Sequence, residues 1–261
     1  MKIVKSNDKI SSYGGLNFIS NEFDNLRLPQ LTKSHLEIRS LSSTYQYHDI
    51  IKNQWMIFYA GGDCAEDIQT NLKKELSNVD GMKVCSPDTI LRLQKDLNMG
   101  KEIHLSKANV VNEFSKNDVL NELNLAILLK TNLLNSSKKY DLDFDNQFIP
   151  CEKYDAKKSY KMKHGYFPGI ATIDNKIVYL ENRNGNSNVK FQQEETLETI
   201  FKMLNRQDIK IKRSRMDCGS FTREVIKTVE RNSDKFFIRA QRCGELNRSI
   251  HSVNDWIKTS I

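Results

Sequence analysis

The chain has 261 residues, of which 38% are hydrophobic and 28% charged, and its formal net charge is +7. This composition is typical of a folded globular protein. No apolar run approaches the roughly 20 residues that span a bilayer, and the first residues lack an apolar signal segment, so we expect a cytoplasmic protein that does not contact membranes. The five cysteines never form a C-x-x-C pair, which argues against a disulfide framework or a zinc site.

The positive charge is concentrated in the second half of the chain. Residues 1–135 contain 16 basic and 16 acidic residues, whereas residues 136–261 contain 24 and 17. The whole excess of +7 therefore lies in the second half. Such a basic region suits a polyanionic partner, because lysine and arginine bind phosphates and release counterions.

Helical patterns dominate the first half. Gly61-Gly62 follows an apolar segment and is expected to end a helix. Asp63 and Glu66 have the spacing of a capping pair, and Ser86-Pro87 is typical of another helix start. Four helices are predicted in this way, near residues 50–59, 65–76, 87–97 and 117–134.

Two interpretations of this helical region, residues 1–135, are open. The glycine link between two helices is compatible with a helix-turn-helix and hence with a DNA-binding module. The neutral charge of the region favours instead a packing or dimerisation domain, which would make the protein a homodimer.

A strand pattern begins near residue 136. Tyr140, Leu142 and Phe144 alternate with aspartates, as in a strand with one buried face. Asp174-Asn175 predicts the tight turn of a hairpin. Further strands are predicted near residues 167–173, 176–181, 209–216 and 236–238, and helices near 192–205 and 221–229. This order predicts an α+β or α/β domain over residues 136–261, with a mixed sheet flanked by helices as in the RNase H-like fold.

Acidic side chains mark two of the predicted strands. Asp141, Asp143 and Asp145 share one face of the first strand, where their mutual repulsion calls for a nearby cation, unless the face is simply solvated. Asp217 ends the strand that begins at Ile209, and an RNase H-like order would place that strand beside the first. Carboxylates on adjacent strand ends can share divalent ions such as Mg²⁺. The competing interpretation of Asp217 is an N-cap of the next helix, and the two roles are compatible.

Motifs in the same order resemble those of DDE transposases of bacterial insertion sequences, in the branch called the thirteen-eighty family, and the resemblance covers most of the chain. The motifs are SSYGGL at 11–16, GGDCAEDI at 61–68 with SPDTILR at 86–92, LDFD at 142–145, HGYFPGIATIDN followed by ENRNGN at 181–186, and RMDCGSF at 215–221.

The resemblance implies a catalytic and metal-binding role for Asp145 and Asp217, with Asp143 as an alternative metal ligand. It implies Mg²⁺ or Mn²⁺ as the cofactor. It also implies double-stranded DNA as the partner, both the terminal repeats of the element and the target DNA. Gln147 stands where the family usually has a hydroxyl residue, two places after the first aspartate.

The third acid of the family has no counterpart in this chain. That glutamate follows a tyrosine in the pattern Y-x-x-R-x-x-x-E, and no tyrosine follows Tyr179. We therefore expect a C-terminally truncated, inactive transposase with weakened metal binding. Two alternatives are a non-catalytic DNA-binding or dimerising remnant, and an RNase H-like nuclease with a substitute third acid.

Basic residues near the predicted acids are the predicted DNA contacts. Residues 153–163 contain five lysines and one aspartate, with tyrosines interleaved, and either follow the DNA backbone or form a solvated loop. Arg213 and Arg215 precede the second aspartate, and Arg183 lies in the ENRNGN segment. The five lysines are Lys153, Lys157, Lys158, Lys161 and Lys163.

Overall fold

The computed structural model describes residues 10–106 and 109–257. The chain divides into two compact units: unit 1 comprises residues 1–101 and 115–135, and unit 2 comprises residues 102–114 and 136–261. The change from helical to strand pattern near residue 136 therefore coincides with a boundary between the units. Residues 102–114 depart from the predicted division, because they belong to unit 2.

Unit 1 is helical, and several of its helices begin where the sequence predicts. The Ser86 hydroxyl accepts the N–H of Thr89 at 3.3 Å, and the Asn117 side chain accepts the N–H of Leu120 at 2.9 Å. These are N-caps, which satisfy backbone donors that the first helical turn leaves unpaired. The helices are α1 (Leu16–Asn25), α2 (Leu28–His35), α3 (Tyr47–Tyr59), α4 (Lys73–Leu76), α5 (Pro87–Asp96) and α6 (Asp118–Lys130).

The link between α3 and the next helical turn differs from the prediction. Gly61 has a φ of 84°, so the glycine pair ends α3 as expected. The predicted capping pair is wrong in its second member, because the carboxylate that accepts the N–H groups of Asp63 and Cys64, at 3.0 and 3.2 Å, belongs to Asp67 and not to Glu66. Residues 60–67 separate α3 from the π-helical turn that follows, whereas a helix-turn-helix uses a turn of three or four residues.

The core of unit 1 contains apolar residues at the spacing of one helix face. Ile68, Leu72 and Leu76 recur every fourth residue and are all buried. The first two lie in a π-helical turn, Ile68–Leu72, that leads directly into α4. All three residues pack in one cluster with Ile50 and Met56 of α3.

Unit 2 contains a mixed seven-stranded sheet flanked by helices, which confirms the predicted arrangement at this level of detail. The strand order is β1-β2-β8-β7-β3-β9-β10. β3, β7 and β8 are antiparallel neighbours, while β9 lies parallel to both β3 and β10. The strands are β1 (Glu102–Leu105), β2 (Val111–Lys116), β3 (Lys139–Asn146), β7 (Gly169–Ile173), β8 (Lys176–Arg183), β9 (Lys210–Met216) and β10 (Ser233–Ile238).

The helices of unit 2 are α7 (Gln193–Arg206), α8 (Arg223–Asn232) and α9 (Gly244–His251). The predicted hairpin turn is present between β7 and β8, where Asp174 and Asn175 both have positive φ angles, 49° and 61°. Such angles match the twist of the flanking strands. Buried apolar residues of the sheet and of α7 and α8 form the core, among them Leu142, Phe144, Ala171, Val178, Leu197, Ile200, Phe201, Val225 and Val229.

A second, small sheet continues from the end of β3. It has the order β4-β6-β5, with β4 (Ile149–Pro150), β5 (Lys157–Lys158) and β6 (His164–Tyr166). The N–H of Gln147 donates to the carbonyl of Pro168 at 3.0 Å, which links the ladder between β3 and β7 to the pair β4 and β6. Within the segment predicted as a lysine-rich connection, residues 153–163, Lys157 and Lys158 form β5, and the other residues lie in turns and irregular structure.

Among the described residues, we find no helix that combines the length and the hydropathy needed to cross a membrane.

Candidate metal and nucleic-acid site

The neighbouring strands β3 and β9 present a ladder of charged side chains on one face of the large sheet. Asp141 pairs with Arg213, and Asp143 pairs with Arg215, in the register of the two parallel strands. Each arginine donates two hydrogen bonds to its aspartate, at 2.8 and 2.5 Å for the first pair and at 2.6 Å twice for the second. The acidic face of β3 was expected to need a nearby cation. Arginine side chains of β9 supply that positive charge to Asp141 and Asp143.

The register of this ladder depends on a bulge. Tyr140 pairs with Ile211, but the next residue, Asp141, pairs with Arg213, so Lys212 is an extra residue on β9. A slip of one residue would turn every following side chain of β9 to the other face of the sheet. The two aspartate–arginine pairs oppose that slip, because each is formed only in the observed register.

The ladder ends in two acids. Phe144 pairs with Met216, and the next residues along the two strands are Asp145 and Asp217. Within residues 10–106 and 109–257, neither carboxylate forms a salt bridge with a lysine, arginine or histidine. The structure thus brings the two predicted acids to adjacent strand ends, where the arginines of the ladder stop.

Burial and a neighbouring negative charge both raise the pKa of Asp145. Partial desolvation raises the pKa of the Asp145 carboxyl, the N–H of Asn146 opposes this by donating to it, and the negative charge of Asp217 raises the pKa further. Asp217 also accepts the N–H of Gly219 at 2.8 Å, as the N-cap of a 3₁₀ turn, Cys218–Ser220. The predicted cap is therefore correct only in part, because Asp217 caps this short turn through one carboxylate oxygen, whereas Thr222 caps the helix α8 that follows.

Asp143 and the two arginines are engaged with one another in the structure. Both oxygens of Asp143 accept hydrogen bonds from Arg215, and its role as an alternative metal ligand stays a prediction. Arg213 and Arg215 form two-point contacts with aspartates but keep 34% and 51% of their side chains exposed, so their contact with DNA stays a prediction as well. Their structural role is to hold the strand register.

Acid pH is expected to remove the contribution of the first pair. Hydrogen bonds from Arg213 hold the pKa of Asp141 below its usual value. Because the folded-state pKa is the lower one, the stabilisation is present above the unfolded value of about 3.9 and is lost as the pH falls through the folded pKa. Urea unfolding should therefore show Asp141→Asn less stable than wild type near neutral pH, with the difference vanishing in strong acid. A difference that persists in acid would contradict this assignment.

Arg183 was predicted to contact DNA, and this prediction is wrong because the side chain is buried. Its side chain is 0% exposed and forms an ion pair with Glu181, which is also 0% exposed. The Arg183 guanidinium also donates to the backbone carbonyl of Phe191 and to the hydroxyl of Thr196. The Thr196 hydroxyl donates in turn to Glu181 at 2.6 Å. A guanidinium without exposed surface cannot reach a phosphate, so the arginine of the ENRNGN segment anchors β8 to the start of α7.

The glycine of the same segment is required by close packing. A Cβ atom on Gly185 would lie 2.4 Å from the carbonyl oxygen of Lys157 and 2.6 Å from that of Gly165. Both are backbone atoms of the small sheet, which cannot move aside without breaking the pairing between β5 and β6.

Gly185→Ala is therefore expected to destabilise unit 2 by about 1–3 kcal/mol, as overpacking does. Gly244→Ala is the control, since a Cβ atom there would meet nothing within 4 Å. Chemical unfolding of both variants measures the difference, and equal stabilities would show that the small sheet adjusts to the added methyl group.

The predicted lysines lie on the surface of the small sheet and its turns. All five are exposed, and in the part of the chain that the structure describes none of them forms a salt bridge. The single acid of this segment, Asp155, accepts a hydrogen bond from the hydroxyl of Tyr166 at 2.5 Å. The segment therefore presents positive charge without salt-bridge partners on the small sheet that follows β3.

A further acidic group lies in unit 1. Asp63, Cys64 and Asp67 approach one another closely enough to share an ion. The hydrogen bonds of Asp67 to the N–H groups of the other two account for this cluster, and they lower the pKa of Asp67. The group formed by Asp63, Cys64 and Asp67 is therefore a hydrogen-bonded turn at the surface.

Comparison with models of protein families, with curated proteins and with solved structures finds no match to this chain.

Proposed function

We propose that the chain is a metal-dependent DNA-processing protein of the RNase H-like DDE transposase class, which acts on the ends of an insertion element. The observation that carries the proposal is the pair Asp145 and Asp217 at adjacent ends of parallel strands. The strand that follows the first helix of the domain lies beside the first strand, as an RNase H-like order requires. The motif resemblance supports the same assignment.

The donor set fits a hard divalent cation. Asp145 and Asp217 supply oxygen ligands from neighbouring strands, and each has one oxygen that accepts a backbone N–H. Their remaining oxygens have no cationic partner among the described residues. Mg²⁺ prefers such carboxylate oxygens and keeps several waters, and when bound it would stabilise charge on the oxygens of a phosphodiester during displacement.

The chain's own residues hold the substrate as well as the cation. Asp145 and Asp217 fix the position of the cation relative to the sheet, and the aspartate–arginine ladder behind them fixes the strand register. The exposed lysines of the small sheet, which follows β3 in the chain, bind the phosphate backbone. The buried Arg183 network supports the strand and helix that surround this edge.

A second candidate function is DNA binding without strand transfer. Within the described residues, no third acidic, histidine or cysteine side chain joins Asp145 and Asp217 in a three-ligand group. Two carboxylates hold a cation more weakly than three, whereas phosphate binding by the lysines does not depend on the cation. A chain of this kind would occupy element ends without joining them to a target.

Cleavage of DNA distinguishes the two functions. The full chain is incubated with Mg²⁺ or Mn²⁺ and a labelled duplex that carries the DNA flanking its coding sequence. We expect cation-dependent nicking that is lost in Asp145→Asn and in Asp217→Asn, and retained in the control Asp63→Asn. Nicking that persists in Asp217→Asn would contradict the assigned site. Salt-sensitive binding without nicking would support the second function.

A further inference from the structure

Two ordered turns of the small sheet display aromatic side chains to solvent. In the first turn, the N–H of Ala156 donates to the carbonyl of Lys153 at 3.0 Å, and Tyr154 at its corner is 102% exposed. The hydrogen bond from Tyr166 to Asp155 fixes this turn to β6. Tyr154 is therefore held out from the surface by a defined backbone.

The second turn joins β5 to β6. The N–H of Ser159 donates to the carbonyl of Lys163 at 2.8 Å, and the N–H of Met162 donates to the carbonyl of Ser159 at 2.9 Å. At the tip, Tyr160 and Met162 are 74% and 71% exposed. The turn is thus closed by backbone hydrogen bonds while its apolar side chains face water.

Cations and aromatic rings alternate on this surface. The Nζ atom of Lys161 lies 5.6 Å from the centre of the Tyr160 ring and 5.9 Å from that of Phe148. The rings of Tyr160 and Phe167 form an edge-to-face contact, with ring centres 6.4 Å apart, which orients Tyr160 while 74% of it stays exposed. Exposed aromatic rings among uncompensated lysines are the features of surfaces that bind single-stranded nucleic acid.

We propose that this surface, defined by Tyr154, Tyr160 and the five lysines of residues 153–163, binds unpaired DNA, with bases stacked on the tyrosine rings and phosphates on the lysines. A duplex offers its phosphates to the lysines but keeps its bases stacked inside, so the tyrosines discriminate between the two forms. The inference rests on the proposed function for the choice of DNA. It adds that the DNA end lies partly unpaired next to Asp145.

Binding of two labelled DNAs tests this inference. A single-stranded oligonucleotide of about 15 nucleotides, within the site size of such surfaces, is compared with the matching duplex by fluorescence anisotropy. Tyr154→Ala/Tyr160→Ala is expected to weaken single-strand binding about tenfold or more, and duplex binding less than twofold. Tyr154→Phe/Tyr160→Phe keeps both rings and should bind as wild type does. Tyr59→Ala is the matched control, because Tyr59 is 60% exposed in unit 1.

Stacking itself has a direct readout. An oligonucleotide that contains 2-aminopurine loses fluorescence when its base stacks, so wild type should change the signal and the double alanine variant should not. Single-strand affinity that is unchanged in the double alanine variant would overturn the inference, as would an equal loss for single strand and duplex.

The test also separates this inference from the proposed function. Asp145→Asn/Asp217→Asn removes both acids and leaves the tyrosine surface intact. If wild type never nicks DNA but binds single strands through the tyrosines, and the asparagine variant binds equally well, the inference holds and the proposed function fails. If wild type nicks DNA while the tyrosines make no difference to binding, the proposed function holds and the inference fails.

Discussion

Arg183→Met is expected to lower the free energy of unfolding of unit 2 by about 3–5 kcal/mol, because it leaves a buried carboxylate without its cation. Glu181 and Arg183 are both 0% exposed, and the Arg183 Nε donates to Glu181 at 2.7 Å. The desolvation cost of the carboxylate remains when the guanidinium is removed, although the Thr196 hydroxyl still donates to it. Chemical unfolding followed by far-UV circular dichroism measures the loss.

Two further variants test whether burial of the ion pair causes the loss of stability in Arg183→Met. Arg215→Met removes an arginine of the same sheet whose side chain is 51% exposed, and a pair so open to water contributes at most about 1 kcal/mol. Glu181→Leu/Arg183→Met removes both charges and should recover part of the stability, since apolar residues tolerate burial without a partner. If Arg183→Met and Arg215→Met destabilised equally, burial of the ion pair would not be the reason.

The central strands of the sheet in unit 2 could be predicted from the sequence because their apolar residues recur at a regular spacing. Tyr140, Leu142 and Phe144 recur every second residue and are all buried in β3. The register of β3 against β9 was not accessible in the same way, since a bulge is set by the pairing of two strands. Its signal in the sequence is the doublet Lys212-Arg213, which interrupts the alternation of apolar and basic residues along β9.

Arg183 shows why the site could be predicted only in part. An arginine in a strand is assigned to the surface by default, because arginine is rarely buried. The available signal was the spacing of Glu181 and Arg183, which places opposite charges on one face of a strand beside a predicted helix. The strands β1 and β2 were missed for another reason: β1 is largely exposed, so it shows no apolar alternation.

Asp217→Asn is expected to have opposite effects on stability and on metal binding. In the metal-free protein it removes a charge that raises the pKa of Asp145, and asparagine can still accept the N–H of Gly219 as a cap. The variant should therefore be at least as stable as wild type without metal. Mn²⁺ should stabilise wild type by about 2.7 kcal/mol at a concentration of 100 times its Kd, and should stabilise the variant far less.

Thermal unfolding with and without Mn²⁺ separates this prediction from a general defect. A mutation that merely damages the fold lowers Tm under both conditions, whereas loss of a shared ligand lowers only the increase in Tm that Mn²⁺ produces. Asp63→Asn is the matched control, because Asp63 lies in the exposed acidic turn of unit 1 and its removal should leave that increase unchanged. If the increase disappeared in Asp63→Asn and persisted in Asp217→Asn, the cation would be bound in unit 1, and the two acids at the ends of β3 and β9 would not share it.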